Sequence, residues 1–201
     1  MPVMYGAVGA PSSSSAADSS NLPVLQGKAG EVVDTNLHGK WYTAAYRNRV
    51  FIGSSLIAGV TIPVNTTTSP TFTLFNPLGS GVNVELVSFD MYSLGGTMVV
   101  GTIIGGLSIQ TPTAVTSGGA TISVPVGGGG VAQAKLYTAA TITAITTHFF
   151  LGQITVTTSA SIHYEFDGKV VLAPGGLITV LSSPVQTAVT VPSFVWAEWP
   201  I

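Results

Sequence analysis

Polar and apolar residues alternate through most of this chain in short runs, and each run closes on Gly, Pro or Asn, residues that turn a backbone. Thr71 to Asn76 sets Phe72 and Leu74 against Thr71 and Thr73, the period of two that gives a strand one apolar face. Val82 to Tyr92 repeats the device, with Val82, Val84 and Leu86 opposite Asn83, Glu85 and Val87. Ser55 to Val64 reads as an earlier strand. Thr97 to Ile109 reads as a longer apolar one, bent or bulged by Gly101, Gly105 and Gly106. In the second half the pattern predicts strands at Ala132 to Thr138, Thr141 to Thr147 and His148 to Thr157. Ile162 to Phe166 meets Lys169 to Leu172 across Asp167-Gly168, a favoured hairpin turn. Leu177 to Leu181 and Thr187 to Trp199 close the series, and the tract Gly127 to Gly130 is a surface loop.

About eight to ten strands with no amphipathic helix make an all-β fold, an antiparallel two-sheet sandwich whose expected form is the jelly roll. The 201 residues suffice for one such domain plus an extension. Residues 6 to 30 supply the extension. They contain the run Ser12 to Ser20, with few bulky apolar groups and no period, so they cannot offset their ordering entropy by self-burial. The expected division is an extended arm and anchor segment over residues 1–50 and a sandwich over 51–201.

Charge sharpens this division. Only 7% of residues are charged, against about 25% in an average soluble domain. With 6 Lys+Arg and 8 Asp+Glu there is no basic field for a nucleic acid. The mean hydropathy is positive. Even so, Gly, Thr, Ser and Pro break the charge-free stretch between Asp90 and Lys135, leaving no window of about 20 apolar residues for a spanning helix. The N-terminus has neither a basic region nor a continuous apolar core, so no secretory signal is expected. Cysteine is absent, which excludes disulfides and thiol chemistry.

Four of the six cations, Lys28, Lys40, Arg47 and Arg49, fall near the boundary of the arm, interleaved with Trp41, Tyr42 and Tyr46. Arginine and aromatic side chains are enriched in buried contact patches, so these residues are candidate anchors for a partner. A solvated first strand would carry the same mixture.

Candidate chemistry is sparse. No metalloprotease, nucleophile-elbow, phosphate-loop or EF-hand pattern occurs, and no catalytic residue is expected. His163-Tyr164-Glu165-Phe166-Asp167 puts an imidazole and two carboxylates at alternate positions of a strand. Cupins bind metal on a jelly roll through a His-x-His pair, but here Glu165 stands two after His163 and Asp167 belongs to the turn. A solvent-facing strand is the expectation, with no metal and no cofactor.

Three phrases carry a resemblance: Leu37-His38-Gly39-Lys40-Trp41-Tyr42, then Phe75-Asn76-Pro77-Leu78-Gly79-Ser80-Gly81, and the ending Phe194-Val195-Trp196-Ala197-Glu198-Trp199-Pro200. They resemble the accessory capsid proteins of tailed bacteriophages, known as decoration or cement proteins. The resemblance implies a jelly-roll homotrimer on the outer capsid surface of the virion, bridging neighbouring major capsid proteins without enzymatic activity. The alternative is a receptor- or carbohydrate-binding module of a head fibre or tail tip, working through exposed aromatics around Tyr92, Trp196 or Trp199.

Overall fold

The computed structural model describes residues 41, 44–45, 47–65, 71–117, 120–123 and 130–201. Among them every regular element is a strand, and all the strand pairs are antiparallel. In chain order these are β1 (Val50–Ser54), β2 (Thr71–Phe75), β3 (Val82–Gly95), β4 (Gly101–Ile109), β5 (Thr113–Ser117) and β6 (Ala120–Ser123). They continue as β7 (Lys135–Thr141), β8 (Thr147–Ile154), β9 (Ser161–Glu165), β10 (Val171–Leu172), β11 (Gly176–Ser182) and β12 (Val189–Pro200).

They form two six-stranded sheets. The first has the order β10-β3-β12-β1-β6, with β9 also on the β3 edge; the second has the order β5-β7-β2-β11-β4-β8. The pairing is nested. β1 pairs the last strand β12, β2 pairs β11, β3 pairs β9 and β10, and β4 pairs β8. Successive pairs fall alternately in the two sheets, so the chain wraps as one folded ribbon. The stretch from β5 to β7 is inserted in this scheme and extends both sheets at one side.

Alternation explains the core. Phe72 and Leu74 of β2 face Phe89 of β3 and Phe194 of β12, and the Phe72 and Phe194 rings stack at 5.6 Å between centroids. Trp196 is fully buried and stacks on Phe51 at 5.9 Å. Each such side chain contributes about 1.5–3 kcal/mol over its exposed state. Gly53 makes room for the indole, since a Cβ there would lie 2.7 Å from Leu136 Cδ2 and 3.1 Å from the Trp196 ring.

Several sequence expectations require correction. Ser55 to Val64 is a connector held by isolated bridges from Val60 to Thr190 and Val64 to Ser182; the strand of this region is β1, which the pattern placed at the edge of the arm. Thr141 to Thr147 is likewise irregular between β7 and β8. Its Ile142 and Ile145 pack against Phe75 and Leu177 on the outer face of the second sheet. Thr97 to Val100 precedes the strand, and the register shift opposite Ile103 and Ile104 falls in β8, where Leu151 is the extra residue, while Gly105 gives space to the Phe149 ring. β5 and β6 had no counterpart in the reading. Asp167-Gly168 does form a tight turn, with φ of 49° and 75° and Lys169 N–H donating to Phe166 C=O. It makes no hairpin, because β9 and β10 both pair with β3, one after the other, and the turn is an excursion from a single interrupted edge strand. Glycines 127 to 129 and residues 1–40 lie outside the described residues. Ala44 to Ile201 is one compact unit, and no helix among the described residues is long and apolar enough to cross a membrane.

Candidate interaction site

Of the expected anchors, Lys28, Lys40, Tyr42 and Tyr46 lie outside the described residues. Trp41 is half-buried. Arg47 and Arg49, also half-buried, sit in a tight turn feeding β1, where Arg49 N–H donates to Ala44 C=O at 2.9 Å and Asn48 adopts φ 58°. The Arg49 guanidinium lies over the Trp199 ring, 5.7 Å from its centroid, a cation–π arrangement. Trp199 in turn donates its indole N–H to Glu85 Oε2 at 2.7 Å. Arg49 is thereby built into the sandwich at the end of β12.

Beside it stands the one buried carboxylate among the described residues, Glu198. Burying a carboxylate is costly unless donors surround it. Here Oε1 accepts from the Trp196 indole N–H and the Ala134 N–H, both at 3.0 Å, and Oε2 accepts from the Gln133 N–H at 2.9 Å. The last strand of the first sheet thus grips the backbone entering β7 of the second. Its own N–H donates to Arg49 C=O at 2.8 Å, so entry turn, last strand and inserted strands meet at one end.

A second constellation lies on the outer face of the first sheet. His163 stands directly opposite Asp90 across the β3–β9 pair. Its Nδ1 is 2.6 Å from Asp90 Oδ1 and its Nε2 is 2.9 Å from Glu165 Oε1. The hydrogen bonds to Asp90 and then Glu165 hold the imidazole above its ordinary 6.5, which favours an imidazolium bridging two carboxylates. All three groups are well exposed. Asp167 is in the turn, as expected, and the second carboxylate on His163 is Asp90. Both ring nitrogens are engaged by carboxylates, and among the described residues no group of three or more His, Cys, Asp or Glu side chains converges as metal ligands.

A groove of about 510 Å³ opens at the end of the second sheet, lined by Ile109, Ile145, Val171 and Leu177 with Ser108 and Thr147. Its lining contains no titratable side chain, so it offers nothing for acid–base work. Trp196 is core and unavailable to a ligand, whereas Tyr92 is 49% exposed, two residues from Asp90 on the same strand face. No family model, curated protein or solved structure matches the chain.

Sequence reasoning missed Asp90, Glu85 and Glu198 as partners. Trp196 and Glu198 share a strand face at i and i+2, a local signal that could have been used. Asp90 and Glu85 meet their partners only through the strand register.

Proposed function

We propose that this chain is a virion structural protein that decorates and stabilises the capsid of a tailed phage, bridging major capsid proteins from the outer surface. In this reading the sandwich is a jelly roll that self-associates as a homotrimer, the N-terminal segment is the attaching arm, and no reaction is catalysed. Supporting the jelly roll is the nested pairing of β1–β12, β2–β11, β3–β9/β10 and β4–β8, the wrapped hairpin from which that fold is built.

The observation that carries the functional reading is the placement of charge. Four of six cations lie between residues 28 and 49, and Arg49 is fixed over Trp199 where the N-terminal segment joins the body. The protein stabilises an assembled shell by mass action, since any ligand that binds only the assembled state shifts the equilibrium toward it, here over many sites. Deleting residues 1–40 tests the arm: particle binding is lost while a soluble β-rich oligomer remains. Unchanged decoration by the truncated protein overturns the reading. Copy number in intact particles separates shell decoration, with many copies over the surface, from a vertex or tail role with few.

The exposed Tyr92 beside the Asp90–His163–Glu165 cluster favours a second reading, a receptor- or carbohydrate-binding head-fibre or tail-tip module. A glycan-array signal lost in Tyr92→Ala would support it.

A further inference from the structure

The turn between β9 and β10 is pinned at its ends and loose in its middle. Phe166, fully buried, donates its N–H to Val87 C=O at 2.9 Å, and Val170 C=O accepts from Leu86 N–H at 3.0 Å. Between these two anchors, among the described residues, Lys169 N–H donates to Phe166 C=O at 2.9 Å and no backbone carbonyl accepts from Gly168 N–H. Asp167 is exposed.

The backbone angles decide what this pair can do. Asp167 has φ 49° and Gly168 φ 75°, the signs of a type I′ turn. Rotating the peptide plane between them gives a type II′ turn, which keeps φ of Asp167 positive, takes its ψ to about −120° and reverses the sign of φ at residue 168. Glycine permits that reversal without steric cost, and the bond closing the turn is common to both types. At that ψ the Asp167 Cβ is eclipsed with the Gly168 nitrogen, the geometry in which Cγ and that nitrogen close a five-membered ring. Asp90 offers no such freedom, because it is paired with His163 on one side and Ser193 on the other, and turning its peptide plane would break both ladders.

We infer that Asp167 is a site of spontaneous covalent modification, at which the folded turn closes to a succinimide and reopens as isoaspartate. The Gly168 nitrogen attacks Cγ of the protonated side chain, a C–N bond forms, and the carboxyl OH leaves as water with the amide proton. Water then adds to the ring. Opening at Cγ restores aspartate, whereas opening at the main-chain carbonyl leaves Gly168 bonded to Cγ, with Cβ in the main chain and a free α-carboxylate. The product lengthens the excursion that joins β9 to β10 by one atom. No other reactant is needed, and the inference is independent of the function proposed above.

Peptide mapping by mass spectrometry tests it on the full chain kept for weeks at physiological temperature, with electron-transfer fragmentation to separate the two aspartyl linkages. A species short of one water and then isoaspartate are expected at residue 167, at a rate within ~10-fold of that in the urea-unfolded chain, as a locally opening turn allows. Residue 90, measured against its own rate in urea, is protected by more than ~100-fold in the folded protein, because a paired strand opens far less often. Asp167→Asn closes the same ring with loss of ammonia in place of water, and gives the same isoaspartyl product faster; circular dichroism confirms that this variant is folded. A folded turn that protects residue 167 as strongly as residue 90 overturns the inference. Equal loss of protection at both residues overturns it as well, since that reports unfolding of the whole chain.

Discussion

The outer faces of the two sheets have similar sequences and opposite fates. On the first sheet, Asp90, His163, Glu165 and Tyr92 stand in solvent. On the second, Thr71, Thr73 and Thr179 point away from the core, yet all are fully buried. Their hydroxyls form a ladder: Thr71 and Thr73 at 2.7 Å, Thr73 to Thr179 at 3.1 Å, and Thr179 onward to Phe72 C=O at 3.2 Å. Next to them Phe75 and Leu177 lie under Ile142 and Ile145 of the β7–β8 connector. Polar alternation therefore says which way a side chain points, and the connectors decide whether that direction leads to water.

The sharpest break of this contrast is Leu177→Ala. As a buried truncation on the covered face it costs ~2–5 kcal/mol in urea unfolding, whereas Ile52→Ala on the open face costs below ~1.5 kcal/mol. Equal costs would mean that both faces are covered. Next in size is Thr73→Val, which leaves the Thr179 and Thr71 hydroxyls short of a partner and costs about 1–3 kcal/mol. Thr190→Val is the matching probe in a connector bridge, where Thr190 Oγ1 donates to Val60 C=O at 3.0 Å. Trp199→Phe removes the indole donor to Glu85 and costs about 0.5–1.5 kcal/mol, with Arg49 still over the ring.

The smallest effect belongs to the open face. Because the folded pKa of His163 is raised, its contribution to stability is fully present below the unfolded value of 6.5 and is lost as pH rises through the folded value. Asp90→Asn removes the largest cause of the shift. In ¹H–¹³C NMR titration the His163 midpoint moves down toward 6.5, and the slope of stability against pH flattens above 6.5. An unmoved midpoint would show that Asp90 does not hold the ring. In a pair this exposed the stability at stake is small.

The strands legible in the sequence are those with one core face and one polar face. β2, β3, β11 and β12 were readable because Phe72, Leu74, Val84, Leu86, Val180, Phe194 and Trp196 repeat with period two. The same rule misled at Ser55 to Val64 and Thr141 to Thr147, where apolar residues pack onto the outside of the body without joining a ladder. Periodicity carries no information on which backbone accepts the hydrogen bonds. Asp167-Gly168 failed for the same reason: the turn is local chemistry, and its hairpin partner is a tertiary choice that β3 won. At the candidate site, the Arg and aromatic composition singled out Arg49 by type as a candidate anchor for a partner. Its docking on Trp199, and the pairing of His163 with Asp90, depended on registers no local pattern specifies.

The interrupted edge of β3 has a further consequence. Sheet proteins commonly protect their outermost strands from adding foreign strands by placing lysines there. This chain has six cations in 201 residues, and one of them, Lys169, stands on this edge. Here β9 and β10 are short, and the excursion at Asp167 to Lys169 interrupts the line between them, which breaks the straight run of N–H and C=O groups that a second molecule could copy. The path of the main chain thus works beside Lys169 in guarding this edge against a foreign strand, and straightening it by deleting Asp167 and Gly168 would remove that part of the protection.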